Sequence, residues 1–153
     1  MLTSTQGVAP TDTRPSADRN RLAVAGTLLA AAVIASLIDA VIAAIAHAAG
    51  ASNEFRPLMA PAFIAFTLIG ILAGAAGWTL VRRRARHPKT LLARLVPIVL
   101  GLSFLPDLAM LVSNYEPHAN AAGVVGLLAM HASVAAVAVI SYRRALPVSD
   151  SRA

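Results

Sequence analysis

The chain has 153 residues, of which 58% are hydrophobic and only 13% are charged, and its formal net charge is +6. Because apolar usage in soluble domains is roughly 45–50%, an aqueous domain of this length could not bury so much apolar surface, and the composition favours a membrane protein. The chain contains no cysteine, which excludes disulfides, thiolate nucleophiles and cysteine metal sites. The positive charge lies at the ends of apolar segments without a base-stacking aromatic surface, so we expect no nucleic-acid partner.

Four apolar segments of membrane-spanning length follow one another along the chain. We predict spans over residues 22–49, 62–81, 91–113 and 121–142, within one transmembrane domain over residues 22–144. Residues 1–21 are polar and are predicted to form a disordered tail, and residues 145–153 a second, short tail. The predicted fold class is all-α, a membrane-embedded bundle of four transmembrane helices.

A basic loop between the second and third spans orients the bundle. Twelve of the 13 Lys and Arg residues lie in or directly beside this loop and the two tails, and Arg56 alone lies in the other two loops. By the positive-inside rule, both termini and the basic loop should be cytoplasmic. We therefore predict a multi-pass protein of the plasma membrane. The topology-determining residues of the loop are Arg82, Arg83, Arg84, Arg86, Lys89 and Arg94.

Ionisable residues within the spans form a candidate polar cluster of Asp39, Ser103, Asp107 and His131. Counted from the basic anchors, Asp107 and His131 should lie about 20 and 18 Å from the cytoplasmic end, and Asp39 about 27 Å, near the outer boundary. An intramembrane acid and histidine can relay a proton or bind a cation. They can equally hold two helices together by a hydrogen bond, which is the interpretation that we favour for a lone pair.

Small residues mark two candidate packing surfaces. Gly70 and Gly74 form a GxxxG pair that Gly77 extends, a pattern that lets another helix approach closely. The first span carries a small-residue stripe of Ala32, Ser36, Ala40, Ala44 and Ala48. We expect both surfaces to pack against helices of the same chain, a second copy or a partner.

Catalytic motifs are missing from the sequence. No GxSxG, P-loop, GxGxxG or HExxH pattern occurs, and we expect no cofactor and no metal. A lipid-handling membrane enzyme would need reactive groups open to the outer leaflet, for which Asp39, His47, Glu116 and His118 are the candidates. The sequence does not decide whether the protein is an enzyme, but the lack of these motifs favours a non-catalytic role.

Three functions are compatible with these patterns. We favour a small, non-catalytic membrane component that acts through helix packing, with itself or with a membrane protein partner, in the lipid bilayer. The alternative is a proton-coupled transporter or permeation unit that uses Asp107 and His131. The lipid-handling enzyme is the third and weakest hypothesis.

Four stretches of the chain resemble the actinobacterial four-span membrane proteins called domain of unknown function 6069. The stretches are AAGAS at 48–52, GAAGWTLVRRRAR at 74–86, LSFLPDLAMLVS at 102–113 and AMHASVAAVAVI at 129–140. The resemblance covers about residues 21–146, and its most specific steps are Pro106-Asp107 and Met130-His131. It implies a four-span membrane fold. Because the family has no assigned activity, the resemblance implies no mechanism.

Overall fold

Four long helices account for most of the protein in the computed structural model. The structure describes residues 14–113 and 115–148, with only the backbone described for residues 14–17. The helices are α1 (Arg14–Ala48), α2 (Ala60–Arg84), α3 (Pro88–Ala109) and α4 (Ala121–Ala145), and a short 3-10 helix at Arg56–Leu58 precedes α2. All four are long and apolar enough to cross a bilayer. The described residues contain no strand, which confirms the predicted all-α fold class.

Helix α1 is longer than the predicted span. It begins at Arg14, so residues 14–21, assigned from the sequence to a tail, continue the helix, while residues 1–13 lie outside the described part of the chain. A helix of 35 residues is about 52 Å long, well beyond a hydrocarbon core of roughly 30 Å. Arginine is a good helix former, so basic residues such as Arg19 and Arg21 end the apolar stretch without ending the helix.

Helix α3 ends earlier than predicted, at Ala109 instead of residue 113. Both Pro97 and Pro106 lie inside it, and each removes one backbone donor from the helix. After Pro106 the backbone tightens, because the N–H groups of Leu111 and Val112 bond to carbonyls three residues back. Such 3-10 bonds are common where an α-helix ends.

Asn120 caps the start of helix α4. Its side-chain oxygen accepts a hydrogen bond of 2.9 Å from the N–H of Gly123, which satisfies a donor that the first turn leaves unpaired. Its amide also donates to the carbonyl of Gly50 at 2.8 Å. One side chain therefore starts α4 and joins the α3–α4 connection to the loop after α1.

The interior contains two clusters of buried residues, one near each end of the bundle. The cluster at the basic end includes Trp78, Leu92, Tyr142 and Leu146, and the cluster at the opposite end is centred on Phe55. The outer faces of the helices remain apolar and exposed, as at Ile69, Val99, Leu102 and Val125, among others. An apolar exterior around a small interior is the arrangement expected when lipid is the solvent.

The chain after α4 folds back onto the bundle. Leu146 is buried, and its carbonyl accepts a hydrogen bond of 3.0 Å from Trp78 Nε1. The Trp78 side chain is only 6% exposed. The indole needs an acceptor for its N–H when it is buried, and the end of the chain supplies one. Residues 149–153 lie outside the described part of the chain.

Candidate functional site

Asp39 is the most deeply buried ionisable side chain described, with 1% of its surface exposed. Thr67 on α2 donates its hydroxyl to Asp39 Oδ2 at 2.7 Å, and Ser133 on α4 lies 3.1 Å from Asp39 Oδ1 and can donate to it. The Ser133 hydroxyl also lies 2.9 Å from the carbonyl of Met130, so its single proton has two possible acceptors. Both carboxylate oxygens of Asp39 are thus used in contacts between helices.

Asp107 and His131 meet between α3 and α4. Asp107 is 5% exposed, and its Oδ2 lies 3.0 Å from Nδ1 of His131. The same Nδ1 lies 2.9 Å from the carbonyl of Leu127, one turn back on α4. Two acceptors this close favour the tautomer with the proton on Nδ1, because a bare nitrogen would face two lone pairs. The Phe104 ring contacts the imidazole edge to face, with ring centroids 6.3 Å apart.

One oxygen of the Asp107 carboxylate, Oδ2, lacks a well-directed hydrogen-bond donor among the described residues. The Nδ1–H direction favours the Leu127 carbonyl, and within the described residues Asp107 Oδ2 has no hydrogen bond of suitable geometry. A buried oxygen without a well-directed donor costs free energy. Asp107 Oδ2 is therefore the one oxygen of these two buried acids that contacts a neighbouring helix without a well-directed hydrogen bond.

These contacts join all four helices. We call Asp39, Thr67, Asp107, His131 and Ser133 the polar network. Asp39 lies on α1, Thr67 on α2, Asp107 on α3, and both His131 and Ser133 lie on α4. Helix α4 therefore contacts both acids. Within a bilayer no water is at hand to satisfy a buried polar group, so such side chains must find partners in the protein.

The structure places Asp39 differently from the prediction. The sequence put it near the outer boundary, within reach of water, but Ser133 bonds to it deep in the bundle, on the basic-end side of His131. The depth estimate assumed that Arg21 marks the same level as the basic residues of the other helices. Helix α1 projects past them, because Asp39 lies 18 residues after Arg21 but contacts Ser133, which lies only ten residues before Arg143.

Ser103 does not join the acids, although it lies on the predicted face of α3. Its hydroxyl donates at 2.7 Å to the carbonyl of Leu100 on its own helix, a local bond that serine commonly makes. Sequence reasoning missed Thr67 and Ser133 instead. A signal for Thr67 was available, since it is the only polar side chain between residues 62 and 77, and a buried acid on a neighbouring helix needs a donor.

The predicted glycine surface of α2 divides into two parts. A Cβ added to Gly74 would lie 2.6 Å from the hydroxyl of Tyr142, so Gly74 packs closely within the chain. At Gly70 and Gly77 an added Cβ would have no neighbour within 4 Å.

Two glycines that were not predicted, Gly123 and Gly126, allow close packing on α4. An added Cβ would lie 2.9 Å from the Phe55 ring at the first and 2.9 Å from the Ala46 Cβ at the second.

The buried face of α1 lies beside the predicted small-residue stripe. The buried residues are Ala31, Ala32, Ala35, Asp39, Ala43 and Ala46, whereas Ala40, Ala44 and Ala48 are exposed. The face of α1 that contains Asp39 packs toward the core. Because burying Asp39 without partners would be costly, the position of the acid decides which of two similar alanine faces packs inward.

The remaining candidate residues lie at the end of the bundle opposite the basic loop. His118 Nε2 lies 3.0 Å from Glu54 Oε2, with both side chains largely exposed, and His47 Nδ1 lies 3.2 Å from the carbonyl of Ala51. A depression of about 390 Å³ beyond the end of α3 is lined by residues that include Met110, Glu116 and His118, and by no member of the polar network. The described residues hold no group of three or more acidic or histidine side chains suited to a metal ion.

Together, four apolar helices and the buried side chains that join them define a small helical membrane protein. Its sequence matches the family described as "Family of unknown function (DUF6069)" over residues 18–148, and the chain belongs to that family. This confirms the resemblance seen in the sequence. No match was found among curated proteins or among solved structures.

Proposed function

We propose that this protein is a non-catalytic membrane component whose polar network fixes the arrangement of its helices and whose lipid-facing sides contact a second copy or another membrane protein. The observation that carries the proposal is that the network side chains face one another. Asp39 has a partner for each oxygen, and Asp107 contacts His131. Side chains used in this way act as interhelical ties.

The contact surface that we propose is the open part of α2. Gly70 and Gly77 have no neighbour within 4 Å of an added Cβ, and Ile69 and Leu80 beside them are 60% and 57% exposed. Small residues next to large apolar ones allow another helix to approach closely in a bilayer.

Crosslinking tests this surface, and the chain has no native cysteine to interfere. We expect Gly70→Cys to form a crosslinked adduct in native membranes, either with a second copy or with a partner. Ala35→Cys, at a position that is 0% exposed, is the matched control and should form none. If Gly70→Cys remains monomeric and no protein purifies with it, the proposed contact surface is refuted.

We further propose a plasma-membrane location with the basic end in the cytoplasm. The basic loop and the described basic residues of α1 and α4 lie at one end of the bundle, and Arg56 lies in the loop at the other. This asymmetry follows the positive-inside rule.

A second candidate function, proton binding and transfer, is favoured by one observation. Asp107 Oδ2 is buried beside His131 without a well-directed donor, and an intramembrane acid next to a histidine is an arrangement found in proton relays. The pair lies just inside the last turn of α3, close to the outer loops.

Proton flux into proteoliposomes separates the two functions. If the pair serves packing alone, wild type, Asp107→Asn and His131→Ala should show the same flux as empty vesicles. A flux above that background that both substitutions abolish would contradict the packing proposal and support proton transfer. Unfolding measurements on the same samples verify that each variant is folded.

A further inference from the structure

The basic end of the bundle gathers cations from three helices around one buried cluster. Trp78 of α2 packs against Tyr142 of α4 with ring centroids 5.6 Å apart, and Leu92 of α3 belongs to the same cluster. Basic residues adjoin each of these positions in the sequence. Arg82, Arg84 and Arg86 follow Trp78. Lys89 and Arg94 lie on either side of Leu92, and Arg143 and Arg144 follow Tyr142.

This arrangement is held in place by contacts within the chain. The hydroxyl of Tyr142 donates to the carbonyl of Ile71 on α2. Arg82 Nη1 lies 3.4 Å from the carbonyl of Pro147, which follows α4. The ends of α2 and α4 are therefore fixed side by side, and their arginines project from a rigid base.

At the basic end, the described arginines outnumber the described acids. Among the described residues, Asp18 is the only acid at the basic end, since Asp39 and Asp107 are buried in the network and Glu54 and Glu116 lie in the opposite loops. Arg84, Arg86, Arg94, Arg143 and Arg144 are exposed. Several arginines on one rigid surface favour a partner with phosphate oxygens, which guanidinium groups bind in a bidentate manner.

Apolar side chains directly beside the arginines indicate which phosphate compound fits. Leu80 is 57% exposed and Ile140 is 52% exposed, within one helical turn of Arg84 and Arg143 respectively. A soluble phosphate would use only the cations, whereas a phospholipid can place its headgroup on the arginines and its acyl chains along the leucine and isoleucine. The surface therefore matches an amphiphile.

We propose that the basic end of the bundle is a binding surface for anionic phospholipids, with Arg143 and Arg144 as principal headgroup contacts. Basic clusters that immediately follow membrane helices attract anionic headgroups. The proposal is independent of the contact surface on α2 and of any proton chemistry.

Native mass spectrometry of the purified full chain tests the proposal by counting retained lipid. We expect the wild type to retain phosphatidylglycerol in clear preference to phosphatidylcholine with the same acyl chains. Arg143→Gln/Arg144→Gln should lower the retention of phosphatidylglycerol by roughly tenfold or more, given the attraction of each basic residue for an anionic surface. Arg143→Lys/Arg144→Lys should keep most of the preference, because the charge remains.

The matched control is Arg19→Gln/Arg21→Gln, which removes the same charge from α1 and should leave the retention of lipid near that of the wild type. Equal retention of the two lipids by the wild type would overturn the proposal, and so would equal losses in the two glutamine variants. Displacement of the lipid by millimolar inorganic phosphate would also overturn it, because the site would then bind soluble anions. Helix content measured on each variant confirms that it is folded.

Discussion

Asp39→Ala should lower the free energy of unfolding by about 1–3 kcal/mol. Hydrogen bonds between membrane helices contribute about 0.6 kcal/mol on average and up to roughly 1.7 kcal/mol, and this substitution removes the contacts of Asp39 with both Thr67 and Ser133. It also leaves a small cavity at a position that is 1% exposed. Reversible unfolding in detergent, followed by far-ultraviolet circular dichroism, measures the change.

Asp39→Asn is the matched control and should stay within about 1 kcal/mol of the wild type. The amide oxygen can accept from Thr67, and the amide nitrogen can donate to Ser133. Ser133 can then direct its own proton to the Met130 carbonyl, 2.9 Å away. An asparagine as damaging as the alanine would contradict the hydrogen-bonding account, because it would mean that the negative charge itself is required.

Gly74→Ala should destabilise the protein by about 1–3 kcal/mol, the usual cost of forcing an extra methyl group into a packed interior. The new Cβ would lie 2.6 Å from the Tyr142 hydroxyl. Tyr142 has little freedom to move, because it is 3% exposed, packs against Trp78 and donates to the Ile71 carbonyl. Thermal unfolding of the purified variants measures the effect.

Two comparisons make this prediction specific. Gly101→Ala lies on α3, outside the proposed contact surface, and its new Cβ meets no atom within 4 Å, so it should be neutral or should stabilise α3 by up to about 1 kcal/mol through helix propensity. In a Tyr142→Phe background the nearest contact is gone, and Gly74→Ala should then cost less. Equal costs for the two glycine substitutions would show that the close contact between Gly74 and Tyr142 is not what limits this position.

The sequence predicts the number and class of the helices because hydropathy alone determines them. In a lipid environment, a run of about 20 apolar residues with basic residues at its end can form few structures other than a transmembrane helix. The ends of helices are less predictable. Helix α1 continues to Arg14 because basic residues do not break a helix, and α3 stops at Ala109 because Pro106 weakens its last turns.

Partners within the bundle are harder to predict because they depend on helix rotation and depth. The pairing of Asp107 with His131 could be anticipated, since both lie at similar distances from basic anchors. The surroundings of Asp39 could not, because a helix that projects from the bundle shifts the level of every residue counted along it. Hydroxyl groups such as those of Thr67 and Ser133 carry no charge, so hydropathy gives them little weight although they supply the donors.

Labelling of single-cysteine variants with a water-soluble, membrane-impermeant maleimide tests most directly whether a bilayer surrounds this bundle and which of its ends faces the cytoplasm. Glu54→Cys should react in intact cells, and Arg86→Cys should react only after the membrane is permeabilised. Leu102→Cys, at a position 58% exposed in the protein, should remain unreactive until the protein is denatured. Reaction of Leu102→Cys in intact membranes would contradict the bilayer-embedded fold, and reaction of Arg86→Cys in intact cells would contradict its orientation.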